Sequence, residues 1–439
     1  MNRHSWPPGY DRGVHRRILA AAALTLAAAA PSTTAAAPST TAAALSATAA
    51  ALSATGAVPN AAATPIRALP PAHAQTTAAR DPLCMANYAR PALPKTAPLR
   101  FGIDPGLAGS AGTTQIPTVP DNPVKARAAV RRLRPKGRVL VVRLNRLFWS
   151  DGNKGIVRFK GMASAYTRQG DEVEIQIRYH PKPADNGNIA AWTRYVRHVV
   201  DVLGANPRVV AMTVTNEVNI TFSPNTSDGG YKRAQDALID GIEAARAEAR
   251  KRHYVQLQFG FTYAYRIVPA TDAALFNYIG AHGGPRFRRA LGFIGLDFYP
   301  GTVYPPVMLP GDTYRHELAQ AAGVLRNCYA PMGKIGPRTP IWITENGIST
   351  SKLTPEQQAS ALAQLVKAAH AYSRTFGITD YRWFNLRDSV SSGSQMLSGL
   401  AFAFDGLLRA NYVPKPSFGV YRGLIGALGK RSAVARAVR

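Results

Sequence analysis

The sequence predicts an α/β protein, a (β/α)8 TIM barrel over residues 98–430, on three observations. Apolar strand-like runs and helix-like stretches alternate eight times over about 330 residues, the pattern of a closed parallel barrel. Strands with a clean two-residue alternation collect their polar residues at the C-terminal end, where this architecture carries its chemistry. The loop after the first strand, FGIDPGLAGS (101–110), lacks the G-x-G-x-x-G spacing that an open dinucleotide-binding sheet would show.

The elements follow in order. Strands are expected at 100–105 (RFGIDP), 138–147 (RVLVVRLNRL), 172–180 (EVEIQIRYH), 209–217, 255–263 (VQLQFGFTY), 291–299 (LGFIGLDFY), 341–346 and 378–386 (ITDYRWFNL). Helices are expected at 122–134, 156–168, 188–203, 230–252, 271–289, 314–327, 354–376 and 416–429. Thr354-Pro355-Glu356 is a helix start, with proline at the first helical position. In the second strand Leu140, Val142 and Leu144 form the helix-facing set, and Val139, Val141, Arg143 and Asn145 the inward one. In the sixth, Ile294, Leu296 and Phe298 share one face and Phe293, Gly295, Asp297 and Tyr299 the other.

Ahead of the barrel, a basic lead precedes the apolar run ILAAAALTLAAAA (18–30), the order of a signal peptide over 1–30. A seven-residue repeat follows (PSTTAAA twice, then LSATAAA and LSATGAV) and opens a low-complexity segment and linker over 31–97 that cannot form a core alone. Ala72-His73-Ala74 is a second cleavage pattern, so the cut falls between 30 and 74; an uncleaved anchor with a stalk is the competing reading. A short basic tail occupies 431–439. Cys84 and Cys328 are either one disulfide or two thiols, which spacing does not decide. A secreted, extracellular monomer is expected.

Lys and Arg outnumber Asp and Glu by 53 to 25, a net charge of +28. That excess leaves an anionic cell-wall polymer open as a partner. The charges are scattered and no basic stripe is interleaved with aromatics, so no nucleic-acid partner is expected. No HExxH and no Cys-x-x-Cys occurs, so neither a metal nor another cofactor is expected.

Two strands end in a glutamate. VAMTVTNEVN (210–219) places Glu217 at the end of the fourth strand, and IWITENG (341–347) places Glu345 at the end of the seventh, 128 residues on. Burying a carboxylate is costly without partners. Across one barrel mouth, however, two carboxylates can break a glycosidic bond with retention: one attacks the anomeric carbon, and the other protonates the leaving oxygen and then activates water. Asp104, Asn145, Trp149 and Asp297 also fall near the mouth, without a specific role.

Asn216-Glu217 and the string ITENG (343–347) resemble the signature of the retaining barrel glycosidases of glycoside hydrolase clan A, and ITENG is similar to the nucleophile motif of the family one β-glucosidases. The resemblance implies a hydrolase acting on β-linked carbohydrate, with Glu345 as nucleophile and Glu217 as general acid/base. It implies further that Asn216 meets the sugar 2-hydroxyl, Arg143 and Tyr299 contact the nucleophile, His180 lines the substrate site and Trp383 forms the aromatic floor under the sugar. Val218 stands where the family one enzymes usually have proline. A carbohydrate-binding barrel without catalysis, and a basic wall- or polyanion-binding protein, are the alternatives.

Overall fold

The computed structural model describes residue 84 and residues 93–106, 118–224, 226–266, 269–305, 307–391 and 401–432. The expected signal segment, both cleavage positions, most of the low-complexity segment and most of the basic tail lie outside them. No described helix is long and apolar enough to cross a membrane.

Eight parallel strands close into a barrel in chain order, β1-β2-β3-β4-β5-β6-β7-β8, with β8 pairing back to β1. They are β1 (Arg100–Ile103), β2 (Leu140–Phe148), β3 (Glu172–Arg178), β4 (Val209–Val214), β5 (Gln258–Ala264), β6 (Phe293–Phe298), β7 (Ile341–Asn346) and β8 (Ile378–Trp383). The main helices are α1 (Pro123–Leu133), α2 (Gly152–Arg168), α3 (Ile189–Gly204), α4 (Ala234–Lys251), α5 (Pro269–His282), α6 (Pro285–Ala290), α7 (Tyr314–Val324), α8 (Pro355–Ala371) and α9 (Pro416–Leu428). At α8, Thr354 and Gln357 form a reciprocal capping box ahead of Pro355, so two otherwise unpaired N–H groups are satisfied.

Two helices differ from expectation. One of them, 354–376, is interrupted at Tyr372, which separates α8 from a short helix Ser373–Phe376. The other, 271–289, is two helices, because Pro285 has no N–H to continue the first and instead starts α6 at its first position. Four strands, β1, β3, β4 and β8, also end two or three residues before the tips expected of them, whereas β2, β5, β6 and β7 end within one residue of expectation. Those tips leave the ladder and become the mouth.

The side chains divide by parity. Leu140, Val142, Leu144, Ile294, Leu296 and Phe298 join the apolar layer between barrel and helices. Inside the barrel the lower layer is small and apolar: Ala211, Phe293 and Trp342, with the two rings stacked 3.6 Å apart. Above it lies an ionic layer. Glu174 accepts from Arg143 at 3.2 Å, from Arg382 at 3.1 Å and from Thr213 at 3.0 Å. A buried charge is tolerated only with such partners. Gly102 makes room for this layer, since a Cβ there would sit 2.3 Å from Arg382 Cδ and 2.5 Å from the Val141 carbonyl oxygen.

Cys84 and Cys328 are joined by a disulfide. It ties the segment before β1 to the five-residue π-helical turn Leu325–Tyr329 that follows α7.

Candidate active site

Glu345 reaches the lumen because β7 is irregular. Trp342 faces inward, so strict alternation would turn Glu345 toward the helices. The register between β6 and β7 slips after Leu296–Ile343, and Asp297 pairs with Glu345 rather than with Thr344. This bulge lets Thr344 and Glu345 both serve the inner face, a common device beside active sites. Asn346 then anchors the turn, donating to the Phe298 carbonyl and accepting from the Tyr381 hydroxyl. Gly347 follows because any Cβ there would lie 2.4 Å from the Phe384 carbonyl oxygen and 2.7 Å from Asp405.

Glu217 is aimed by a different device. Beyond β4, Thr215 (φ 67°) and Glu217 (φ 45°) both adopt left-handed backbone. For a β-branched threonine this is an outlier, with strain on the order of 1–3 kcal/mol, held only where neighbours enforce it. Asp228 helps enforce it by accepting from the Asn216 N–H at 2.8 Å, and the Glu217 N–H donates to the Thr262 carbonyl at 3.1 Å.

The two glutamates meet. One oxygen from each of Glu217, Asp297 and Glu345 lies within 4.8 Å of the others. Their partners differ. Glu345 Oε1 receives Arg143 Nη1 at 2.6 Å, and Oε2 receives the Tyr299 hydroxyl at 2.7 Å. Glu217 Oε2 receives Ser227 Oγ at 2.8 Å and Asn216 Nδ2 at 3.3 Å. Glu345 therefore sits on a fixed cation, while Glu217 has neutral donors alone. Burial and then the Glu345 charge push the Glu217 carboxyl well above the usual range, against the Ser227 hydrogen bond.

Asn216 is held on every side. Its Oδ1 accepts from Gln176 at 2.5 Å and Thr262 at 2.8 Å, and its Nδ2 donates to the Thr226 carbonyl at 2.8 Å as well as to Glu217. Asp104, beside Arg143 at 4.0 Å, is raised to about 7, chiefly by burial.

Of the side chains singled out from the sequence, Glu217, Glu345, Asn216, Arg143 and Tyr299 converge here. Trp383 does not, and its expected place under a sugar is corrected. It is fully buried on the helix-facing side, where Nε1 donates to the Asp405 carbonyl at 2.9 Å and the ring packs on Tyr421 of α9. Asp380 and Arg382 hold the inner face of β8, so the next inward position is Phe384. That ring packs edge-on to Tyr299 with centroids 6.2 Å apart. His180 is half-buried. Its Nδ1 lies 3.2 Å from Ser150 Oγ, and its ring is 4.8 Å from Phe148 and 5.2 Å from Tyr231. No hydrogen bond joins it to either glutamate among the described residues.

Sequence reasoning missed Ser227, Gln176 and Phe384, and left Asp297 without a role. Parity along β8 could have found Phe384. Nothing local marks Ser227, whose place depends on the path of the loop. Glu217, Asp297 and Glu345 are also the one group of acids, cysteines and histidines spaced for a metal ion among the described residues. Both Glu345 oxygens are already occupied by Arg143 and Tyr299, so the trio is better described as an acid cluster.

Solved structures share this fold. A GH5_18 protein from Streptomyces cattleya in complex with GlcNAc aligns with a TM-score of 0.51 and 15% identity, over 76% of this chain and 81% of that one. A GH5_18 protein from Bifidobacterium longum subsp. infantis gives 0.52 and 16%, over 76% and 80%. A β-glucosidase from Thermotoga maritima in complex with methoxycarbonyl-substituted glucoimidazole gives 0.51 and 14%, over 77% and 100%. At these identities the likeness is one of fold: this chain is a (β/α)8 barrel of the kind those proteins use. No protein-family model and no curated sequence matches it.

Proposed function

We propose that the protein is a retaining glycoside hydrolase that cleaves β-linked glycosides or polysaccharides by double displacement. One observation carries this reading: two glutamates, far apart in the chain, bring oxygens within 4.8 Å at the mouth of the barrel, one on a guanidinium and one without any cation. Retaining enzymes set their carboxyl groups roughly 5–5.5 Å apart, whereas inverting enzymes leave about 6.5–9.5 Å for a water between them.

In the first step Glu345 attacks the anomeric carbon as the glycosidic C–O bond breaks, and Glu217 gives its proton to the leaving oxygen. In the second step Glu217, now a carboxylate, takes a proton from water. The water oxygen displaces Glu345 from the anomeric carbon, and Glu217 regains its proton. Arg143 and Tyr299 hold Glu345 in line for attack. Asn216 can meet the sugar 2-hydroxyl by exchanging its long 3.3 Å contact with Glu217. Phe384 takes the place under the sugar ring that Trp383 cannot. His180, beside Phe148 and Tyr231, faces a more distant part of the substrate.

The fold neighbours with GlcNAc or a glucoimidazole bound make a pyranose the first substrate to try. Secretion fits the apolar run at 18–30 and the Cys84–Cys328 disulfide, a bond that persists in oxidising compartments. The net charge of +28 favours retention on an anionic wall polymer. The test uses activated aryl β-glycosides. Glu345→Ala should abolish turnover, while Glu217→Ala should slow it about 10²–10⁴-fold, with azide restoring the rate and giving a product of retained configuration. Sugar binding without any turnover across a broad panel would instead make the barrel a lectin-like binder.

A further inference from the structure

Three carboxylates meet at this mouth, and just one of them has a cation. Arg143 is on Glu345 at 2.6 Å and divides its remaining contacts between Glu174 at 3.2 Å and Asp104 at 4.0 Å. Arg178 is committed to Asp228 at 2.8 Å. Among the described residues no ion pair reaches Glu217 or Asp297. The ionisable groups facing Asp297 are Glu217 from the end of β4, Glu345 from β7, Arg143 from β2 and Tyr299 from the end of its own strand. On β5 the residue opposite is Ala264. Three negative charges within 4.8 Å of one another cannot share one guanidinium, so protons must occupy part of the cluster.

The hydrogen bonds decide which acid keeps its proton. Glu217 has two donors on one oxygen, Ser227 and Asn216, and is 8% exposed. Its charged form is therefore supported when it acts as a base. Asp297 is 1% exposed and has a single donor, Thr344 Oγ1 at 2.7 Å on Oδ1; its buried Oδ2 has no protein partner. A proton on Oδ2 removes the unpaired charge.

We propose that Asp297 is a positioning residue that stays a neutral acid throughout turnover, so that it does not compete with Glu345 for Arg143 and Glu217 is free to lose and regain its proton. The proposal rests on Glu345 and Glu217 being the working pair. Burial, followed by the two glutamate charges, pushes Asp297 well above its ordinary range, in agreement with the geometry. An ionised Asp297 would compete with Glu345 for Arg143. It would also hold Glu217 protonated at the moment it must accept a proton from water.

Two measurements on the full chain test this. Subtracting the infrared spectrum of the Asp297→Asn/Glu217→Gln double variant from that of the Glu217→Gln enzyme, both near neutral pH without substrate, should leave a protonated-carboxyl band, because the bands of other buried acids such as Asp104 and Asp405 cancel. In kinetics, Asp297→Ala should lose about 10²-fold in kcat, and the neutral isostere Asp297→Asn should recover to within about threefold of wild type with an unmoved pH optimum. Absence of the band from that difference overturns the proposal, and so does an Asp297→Asn enzyme as slow as Asp297→Ala. The infrared result does not depend on activity, so it stands or falls separately from the assignment of a glycosidase.

Discussion

The Tyr299 hydroxyl lies 2.7 Å from Glu345 Oε2, on the carboxylate oxygen that Arg143 leaves free. Each Glu345 oxygen thus has one donor, a cation on one side and a phenol on the other, and the carboxyl plane is fixed. Losing a hydrogen bond to a charged group is worth about 1.5–3 kcal/mol. Tyr299→Phe should therefore lower kcat by roughly 10–10²-fold with KM little changed, measured on an aryl β-glycoside. An unchanged kcat would mean that Arg143 alone orients the nucleophile.

Much of this site was legible in the sequence, because β6, and β2 as far as Asn145, keep strict alternation; beyond that point β2 has an irregularity of its own. Arg143 and Tyr299 fall inward by parity alone, and the positions that share their faces do so in the barrel. Glu345 was found from its neighbours Thr344, Asn346 and Gly347 rather than from parity, since the β6–β7 bulge breaks the alternation. A bulge depends on both strands and leaves no mark in one of them. Ser227 was invisible for a similar reason: a loop residue acquires its partner only when the loop has folded. The Cys84–Cys328 bond, left open by spacing, needed the fold to bring its ends together.

Trp383 shows what happens when a residue type outweighs its position. Tryptophan in YRWFNLRDS drew the aromatic role, yet Asp380 and Arg382 already claim the inner face, which puts Trp383 with Tyr421. The two rings should therefore separate in experiment. Trp383→Phe should lower thermal stability by about 1–3 kcal/mol through lost packing and the lost Nε1 hydrogen bond, with KM unchanged. Phe384→Ala should raise KM about tenfold with a smaller loss of stability. The reverse pattern would return Trp383 to the sugar site.

Glu217 should be a site where function opposes stability. Its carboxyl is raised to about 8 in the folded protein from an ordinary value of 4.5. Below the ordinary value both folded and unfolded chains hold the proton, and the protonated carboxyl contributes its full stability. As pH rises from there toward 8 the unfolded chain releases a proton that the folded chain retains, so the contribution is progressively lost. Glu217→Gln removes this slope. The variant should unfold at a higher temperature than wild type at pH 7, by an amount on the order of 1 kcal/mol, and match it more closely near pH 4. Calorimetry at the two pH values decides it; equal differences at both would place the ionisation elsewhere.

Ser227 offers the most selective lever on the rate. Its hydroxyl donates to Glu217 Oε2 at 2.8 Å and favours the carboxylate form, opposing the upward push of burial. Without it the proton is held more tightly. In Ser227→Ala the acid needed for the first step should survive to higher pH, so the alkaline limb of kcat/KM moves up. In the second step, however, more of the glycosyl-enzyme near neutral pH then holds Glu217 protonated, so less of the carboxylate that must take the proton from water is present. With a good leaving group, where protonation matters least and hydrolysis of the glycosyl-enzyme limits turnover, kcat near neutral pH should fall about tenfold, and azide should recover it. An alkaline limb that moves down, or does not move, would show that Glu217 is not the group titrating there.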